Sequence, residues 1–143
     1  AMMPAWRYIG AHRYYVEGNL FVMELNGAVT LQEMTELLLP QEALLEQYER
    51  VLTLAVSNQD QIPSSDIRKF LAQRGQRVDI DRLHVVAVIK SQLQLTILRL
   101  IERATALLAK TQLHNTFVHS EAEAWQWIEE QHRQHLPKLR VPK

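Results

Sequence analysis

The chain contains no cysteine. Disulfides, thiolate–metal sites and a cysteine nucleophile are excluded with it. Only four glycines occur among 143 residues, and no G-x-S-x-G elbow or Gly-rich phosphate loop can be assembled from them. Net charge is absent as well, because sixteen basic residues balance sixteen acidic ones. That balance argues against a nucleic-acid partner, since such binding draws on an excess of Lys and Arg over phosphates. No apolar run approaches the ~20 residues of a membrane-spanning helix, so no membrane insertion is expected. The N-terminal stretch shows no charged segment followed by an apolar core, so no secretory leader is expected and the cytoplasm is the default compartment.

What remains is an ordinary globular composition, with a hydrophobic fraction of 47%. No repeat, low-complexity block or linker interrupts it. The length suggests one domain over residues 1–143, large enough to bury roughly 68% of its unfolded surface. Trp6 to Val16 is aromatic and β-branched, Glu17-Gly18-Asn19 is a turn signal, and Leu20–Leu25 is a second strand. The two runs predict an antiparallel hairpin. Thr30 with Glu33 forms a capping box. It opens a helix carrying Met34, Leu37, Leu38, Gln41, Leu45 and Tyr48 at a mainly helical spacing. Pro40 lies inside that pattern and predicts a kink or a split into two helices.

Val51 to Val56 is a nearly continuous apolar run, the pattern of a strand covered on both faces. Ser57 to Gln61 is turn-forming, and Pro63 biases Ile62 away from helical geometry. Ser64 or Ser65 then caps a helix that has Asp66 in its first turn and ends at Gly75. After a charged connection, Leu83 to Ile89 is another buried strand. Leu93, Ile97, Leu100, Ile101, Ala104 and Leu108 share one face of the next helix, and Leu95 and Leu98 widen it. A short strand centred on Thr116-Phe117-Val118 follows. Ser120 with Glu123 makes a second capping box, before a helix in which Trp125 and Trp127, two apart, cannot both face the core. The ordered core is expected over about 6–131, with 132–143 a solvated basic tail bearing Arg133, Lys138, Arg140 and Lys143. The predicted fold is α/β: a mixed, mostly parallel sheet opened by an antiparallel hairpin, with alternating helices.

In such a sheet, ligands gather beyond the carboxyl ends of the strands. Those ends supply a candidate ligand edge of Asn58, Lys90, Ser91 and His119. Helix N-termini beside Lys90 suit an anion or a phosphoserine, although serines there also serve simply as caps, the commoner role. His132 and His135 are three apart, as are many helical metal ligands, but no cysteine accompanies them. No metal and no cofactor are expected. His84, in an apolar strand, reads as a hydrogen-bonded core or edge histidine rather than a base.

Four stretches carry a family likeness. Leu20-Phe21-Val22-Met23-Glu24-Leu25-Asn26-Gly27 ends a strand in a polar residue and glycine ahead of the first helix. Val51 to Ser57 and Val85-Val86-Ala87-Val88 are central strands. Phe117-Val118-His119-Ser120, then Ala124-Trp125-Gln126-Trp127-Ile128, is a closing strand and helix. Over about Tyr8 to Glu130 the chain resembles the STAS superfamily, in its SpoIIAA-like branch. The resemblance implies a non-catalytic regulatory or interaction domain, of the kind that antagonises anti-sigma factors by partner switching. It implies a protein partner or a second copy of the chain. In switching members a serine at the second helix is the phosphoacceptor, within Asp-Ser-Ser-Gly. Here Pro63-Ser64-Ser65-Asp66 aligns Ser64 with that serine. Asp66 would repel a phosphate beside it, so Ser64 is expected to act as a cap. SpoIIAA-like folds also resemble lipid-binding domains in layout. The alternative function is therefore a carrier or sensor of an apolar small molecule or lipid.

Overall fold

The computed structural model describes residues 4–58 and 63–141. The expected turn at Gln59, Asp60 and Gln61, the bias on Ile62, and residues Pro142 and Lys143 lie outside the described residues. Among the described residues six strands form one sheet, in sequence order across it. They are β1 (Arg7–Ile9), β2 (His12–Glu17), β3 (Leu20–Leu25), β4 (Val51–Ser57), β5 (Leu83–Val88) and β6 (His114–Val118). Pairs β1/β2 and β2/β3 are antiparallel. Pairs β3/β4, β4/β5 and β5/β6 are parallel. The helices are α1 (Leu31–Gln47), α2 (Ser65–Arg74), α3 (Gln92–Ala109) and α4 (Glu121–Gln134). The architecture is thus α/β with a mixed sheet.

The run from Trp6 to Val16, expected as one strand, is broken at Gly10, which sits at φ +61. A side chain there would also collide with the Glu33 carboxylate. The break turns the single predicted hairpin into a three-stranded antiparallel start. Pro40 does not split the helix, since α1 runs unbroken from Leu31 to Gln47. Its packing explains this: Met34, Leu37, Leu38, Gln41, Leu44 and Leu45 are all buried on one face, and tertiary burial outweighs the lost hydrogen bond.

Crossovers of one hand that step the same way across a sheet place their helices on one face. Phe21, Met23, Val51 and Leu83 accordingly pack with Leu37, Leu38 and Ile67. Alternation turns Leu20, Val22, Leu52, Leu54, Val56, Val86 and Val88 to the opposite face, where Ala124 and Ile128 of α4 cover them with Trp127. Trp125 is exposed. Gly75 follows α2 as predicted, but in a right-handed conformation. Its need is space: an added Cβ would meet Ile80 Cδ1 at 2.6 Å and Ala109 Cβ at 3.0 Å.

The apolar face of α3 is split: Leu93, Leu100 and Leu108 are exposed while Ile97, Ile101 and Ala104 are half-buried, and Leu107 beside them is 78% exposed. The buried residues of α3 are polar, Gln94 and Thr105. Each has its bonds: Lys90 N donates to Gln94 Oε1 (3.1 Å), and Thr105 Oγ1 donates to Ile101 O (2.7 Å). Hydrophobicity alone could not rank the faces of a helix with leucines all round. The chain beyond 131 is also not a free tail. α4 continues to Gln134, and Leu139 bridges Tyr48. Glu49 N donates to Lys138 O (2.9 Å), and Arg140 N donates to Gln47 O (2.8 Å). Arg82 Nη1 and Nη2 donate to Tyr48 O (2.5 Å) and Leu45 O (2.6 Å), closing the end of α1.

Candidate functional site

The sheet face beneath α1, α2 and α3 carries a register row of Met23, Ala55, Ala87 and Phe117, one from each of four adjacent strands. The two central residues are alanines, where the opposite face presents Leu54 and Val86. Small side chains at the middle of the sheet leave the space beneath the helices unfilled. The result is a cavity of about 390 Å³ that all four residues line. Leu38, Ile67, Leu71, Leu98 and Ile101 supply its apolar helical walls. Ser64 lies at one end of α2 and Arg74 at the other, and both line it.

The polar groups of the cavity are concentrated. Gln41 and Thr53, each 2% exposed, and Arg74, 8% exposed, are joined in one network. Gln41 Nε2 donates to Thr53 Oγ1 (2.8 Å). Arg74 Nη2 donates to Gln41 Oε1, and Arg74 Nε donates to Glu42 Oε2 (3.4 Å). Glu42 also accepts from Arg77. Burial pushes the Glu42 carboxyl up, but the Arg77 hydrogen bond and the Arg74 charge outweigh it and hold it below the usual carboxylate range. Burial works against the Arg74 charge and outweighs the help from Glu42. A guanidinium nevertheless stays protonated in proteins, so Arg74 is a buried cation sharing its one carboxylate with a second arginine. Glu102 and Asn115 meet at the side of the cavity, with Asn115 Nδ2 donating to Glu102 Oε2 (2.8 Å).

The residues singled out from the sequence are brought together only in part. Asn58 and Lys90 meet: Lys90 Nζ donates to Asn58 Oδ1 (3.1 Å), while Asn58 Nδ2 donates to Glu24 Oε1 (3.0 Å) and Asn26 Oδ1 (2.6 Å). Arg13 holds the same Glu24 from the other side through Nε and Nη2. Ser91 caps α3, its hydroxyl accepting from Gln94 N (3.1 Å). His119 is exposed, and its backbone N–H donates to Glu123 Oε2 (2.8 Å). Among the described residues no hydrogen bond ties Ser91 or His119 side chains to the Asn58–Lys90 pair.

Ser64 and Ser65 are both exposed at the start of α2. Ser64 stands at the cap position, yet its side chain makes no cap bond. Its hydroxyl donates to Asp66 Oδ1, which also accepts from Ile67 N (2.9 Å). The Ser64 hydroxyl accordingly holds the Asp66 carboxyl below its usual range. The expected capping by Ser64 is therefore corrected: Asp66 supplies the acceptor. Ser64→Ala should then change stability by no more than about 0.5 kcal/mol. Ser120→Ala, which removes a hydroxyl accepting from Glu123 N (3.2 Å), should cost about 1 kcal/mol. Chemical denaturation of both variants checks the contrast, and equal losses would refute it.

Sequence reasoning missed Arg74, Gln41 and Thr53. The signal available was a glutamine on the apolar face of α1 and a threonine inside an apolar strand, but their pairing needs the fold. His84 stacks on His114, with ring centroids 4.4 Å apart. Burial, then Arg50, His114 and His135, push it down to about 4. It is neutral at pH 7, and among the described residues no carboxylate faces it to make it a base. Among the described residues no group of three or more His, Cys, Asp or Glu is placed to hold a metal ion, and no helix is long and apolar enough to cross a membrane. Comparison of the chain with protein-family models, with curated proteins and with solved structures gave no match.

Proposed function

We propose that this protein is a non-catalytic carrier or sensor that holds an apolar small molecule between its sheet and helices α1, α2 and α3. The observation that carries the reading is the cavity of about 390 Å³, a size within the range of small-molecule sites, with apolar walls and a few convergent polar groups. The paired alanines Ala55 and Ala87 at the middle of the sheet supply its cause in the sequence. Ala87→Leu should fill it. Nile red, a neutral solvatochromic dye, should bind the wild type and lose at least about ten-fold in affinity with Ala87→Leu, while the melting temperature stays within a few degrees. Native mass spectrometry of gently purified protein should show an added small-molecule mass that Ala87→Leu lacks. Dye binding unchanged by Ala87→Leu, or an unliganded mass together with no dye binding, would refute the reading.

A second reading is a STAS-like interaction module that binds a protein partner or its own copy. Leu93, Leu100 and Leu107 favour it, since they recur every seven residues along the outward face of α3 and are each more than half exposed.

A further inference from the structure

We propose that the cavity selects an amphipathic molecule with a carboxylate head, and that Arg74 at the inner end of α2 reads that head. The inference rests on the cavity being a ligand site. Three observations point to this ligand class. The cavity is lined by both ends of α2, Ser64 and Arg74. It therefore runs about 15 Å, the length of ten helical residues, which suits an extended chain. Ile67 and Leu71 of α2, with Leu98 and Ile101 of α3, supply apolar wall between those ends.

The second observation is the state of Arg74. It is more than nine-tenths buried, and the bonds it makes go through Nε and Nη2. Its one carboxylate, Glu42, is shared with Arg77, so two guanidiniums face one carboxylate and a positive charge is in excess. A planar carboxylate matches a guanidinium edge and gains from pairing in a site shielded from water.

The third observation orients the ligand. Glu102 is the acidic residue lining the side of the cavity under α3, and it repels an anion there. Lys90, the cation at the sheet edge, is exposed and bonded to Asn58, and it does not belong to the cavity wall. The head thus seats at Arg74, and the chain extends toward Ser64.

The test compares decanoate with decanol by titration calorimetry on the full chain, below their aggregation concentrations at pH 7.5. Decanoate should bind at least about ten-fold more tightly than decanol. Arg74→Met should abolish that preference while decanol still binds, and Lys90→Gln should leave it intact. If Arg74→Met does not fold, Arg74→Lys keeps the charge but loses the two-pronged geometry, and the preference should shrink without vanishing. Equal binding of decanoate and decanol by the wild type would overturn the carboxylate assignment and leave the carrier reading standing. Binding of neither, with no Nile red binding, would overturn both. A preference that survives Arg74→Met, or disappears with Lys90→Gln, would overturn the role of Arg74.

Discussion

Glu42→Ala is expected to destabilise the protein by about 3–5 kcal/mol, the cost of stranding a buried charge. For a chain of this length that corresponds to a fall of roughly 10–20 °C in Tm. Glu42 is the carboxylate that faces Arg74, which is almost wholly buried, and it also binds Arg77. The pH dependence has a definite sign. The folded pKa of Glu42 lies below its ordinary value, because the Arg77 and Arg74 interactions outweigh burial. Its contribution is therefore complete above the unfolded pKa, about 4.3, and is lost as pH falls through the lower folded value. The gap between wild type and Glu42→Ala should narrow over that window. The double variant Glu42→Ala/Arg74→Met should recover much of the loss, since an apolar replacement removes the stranded charge. A single-variant cost below about 1 kcal/mol would place the pair among exposed salt bridges and sink this account.

Phe21→Ala should cost about 3–5 kcal/mol through lost burial and the void left behind. Phe21 is fully buried between the sheet and α1, beside Leu37 and Tyr14. It does not line the cavity, so the folded fraction should keep its affinity for Nile red. This is the converse of Ala87→Leu, which should remove binding at little cost in stability. Chemical denaturation with and without dye separates the two. A Phe21→Ala protein of near wild-type stability would mean that the α1 side of the core can collapse around the void.

Local chemistry made much of the fold legible. β3 and β4 are where unbroken apolar runs put them, and the Thr30–Glu33 box has both of its bonds. Alternation of strand and helix was enough to expect a mixed sheet, because parallel neighbours need a crossover and a short turn yields an antiparallel pair. The candidate ligand edge was half legible: Asn58 and Lys90 do meet. Ser91 and His119 are taken up locally, by the ends of their own helices, a competition that residue types do not reveal.

Tertiary structure decided everything that depends on register and on which face turns inward. Ala55 and Ala87 are unremarked in their own strands. They define a cavity only because β4 and β5 align them side by side. Arg74 looks like an ordinary basic residue in the last turn of a helix. It becomes a buried cation because α2 lays it against Gln41 and Thr53, residues more than twenty positions away. Pro40 stays within one helix because six buried neighbours hold that helix together. The outward leucines of α3 belong here too: Gln94 and Thr105 turn inward with hydrogen bonds met four residues away, by Lys90 N and Ile101 O. Apart from the break at Gly10, sequence by itself determined the main elements and their order, since propensity, capping and periodicity act within a few residues. The site was left to contacts between distant strands and helices, whose energies no single segment carries.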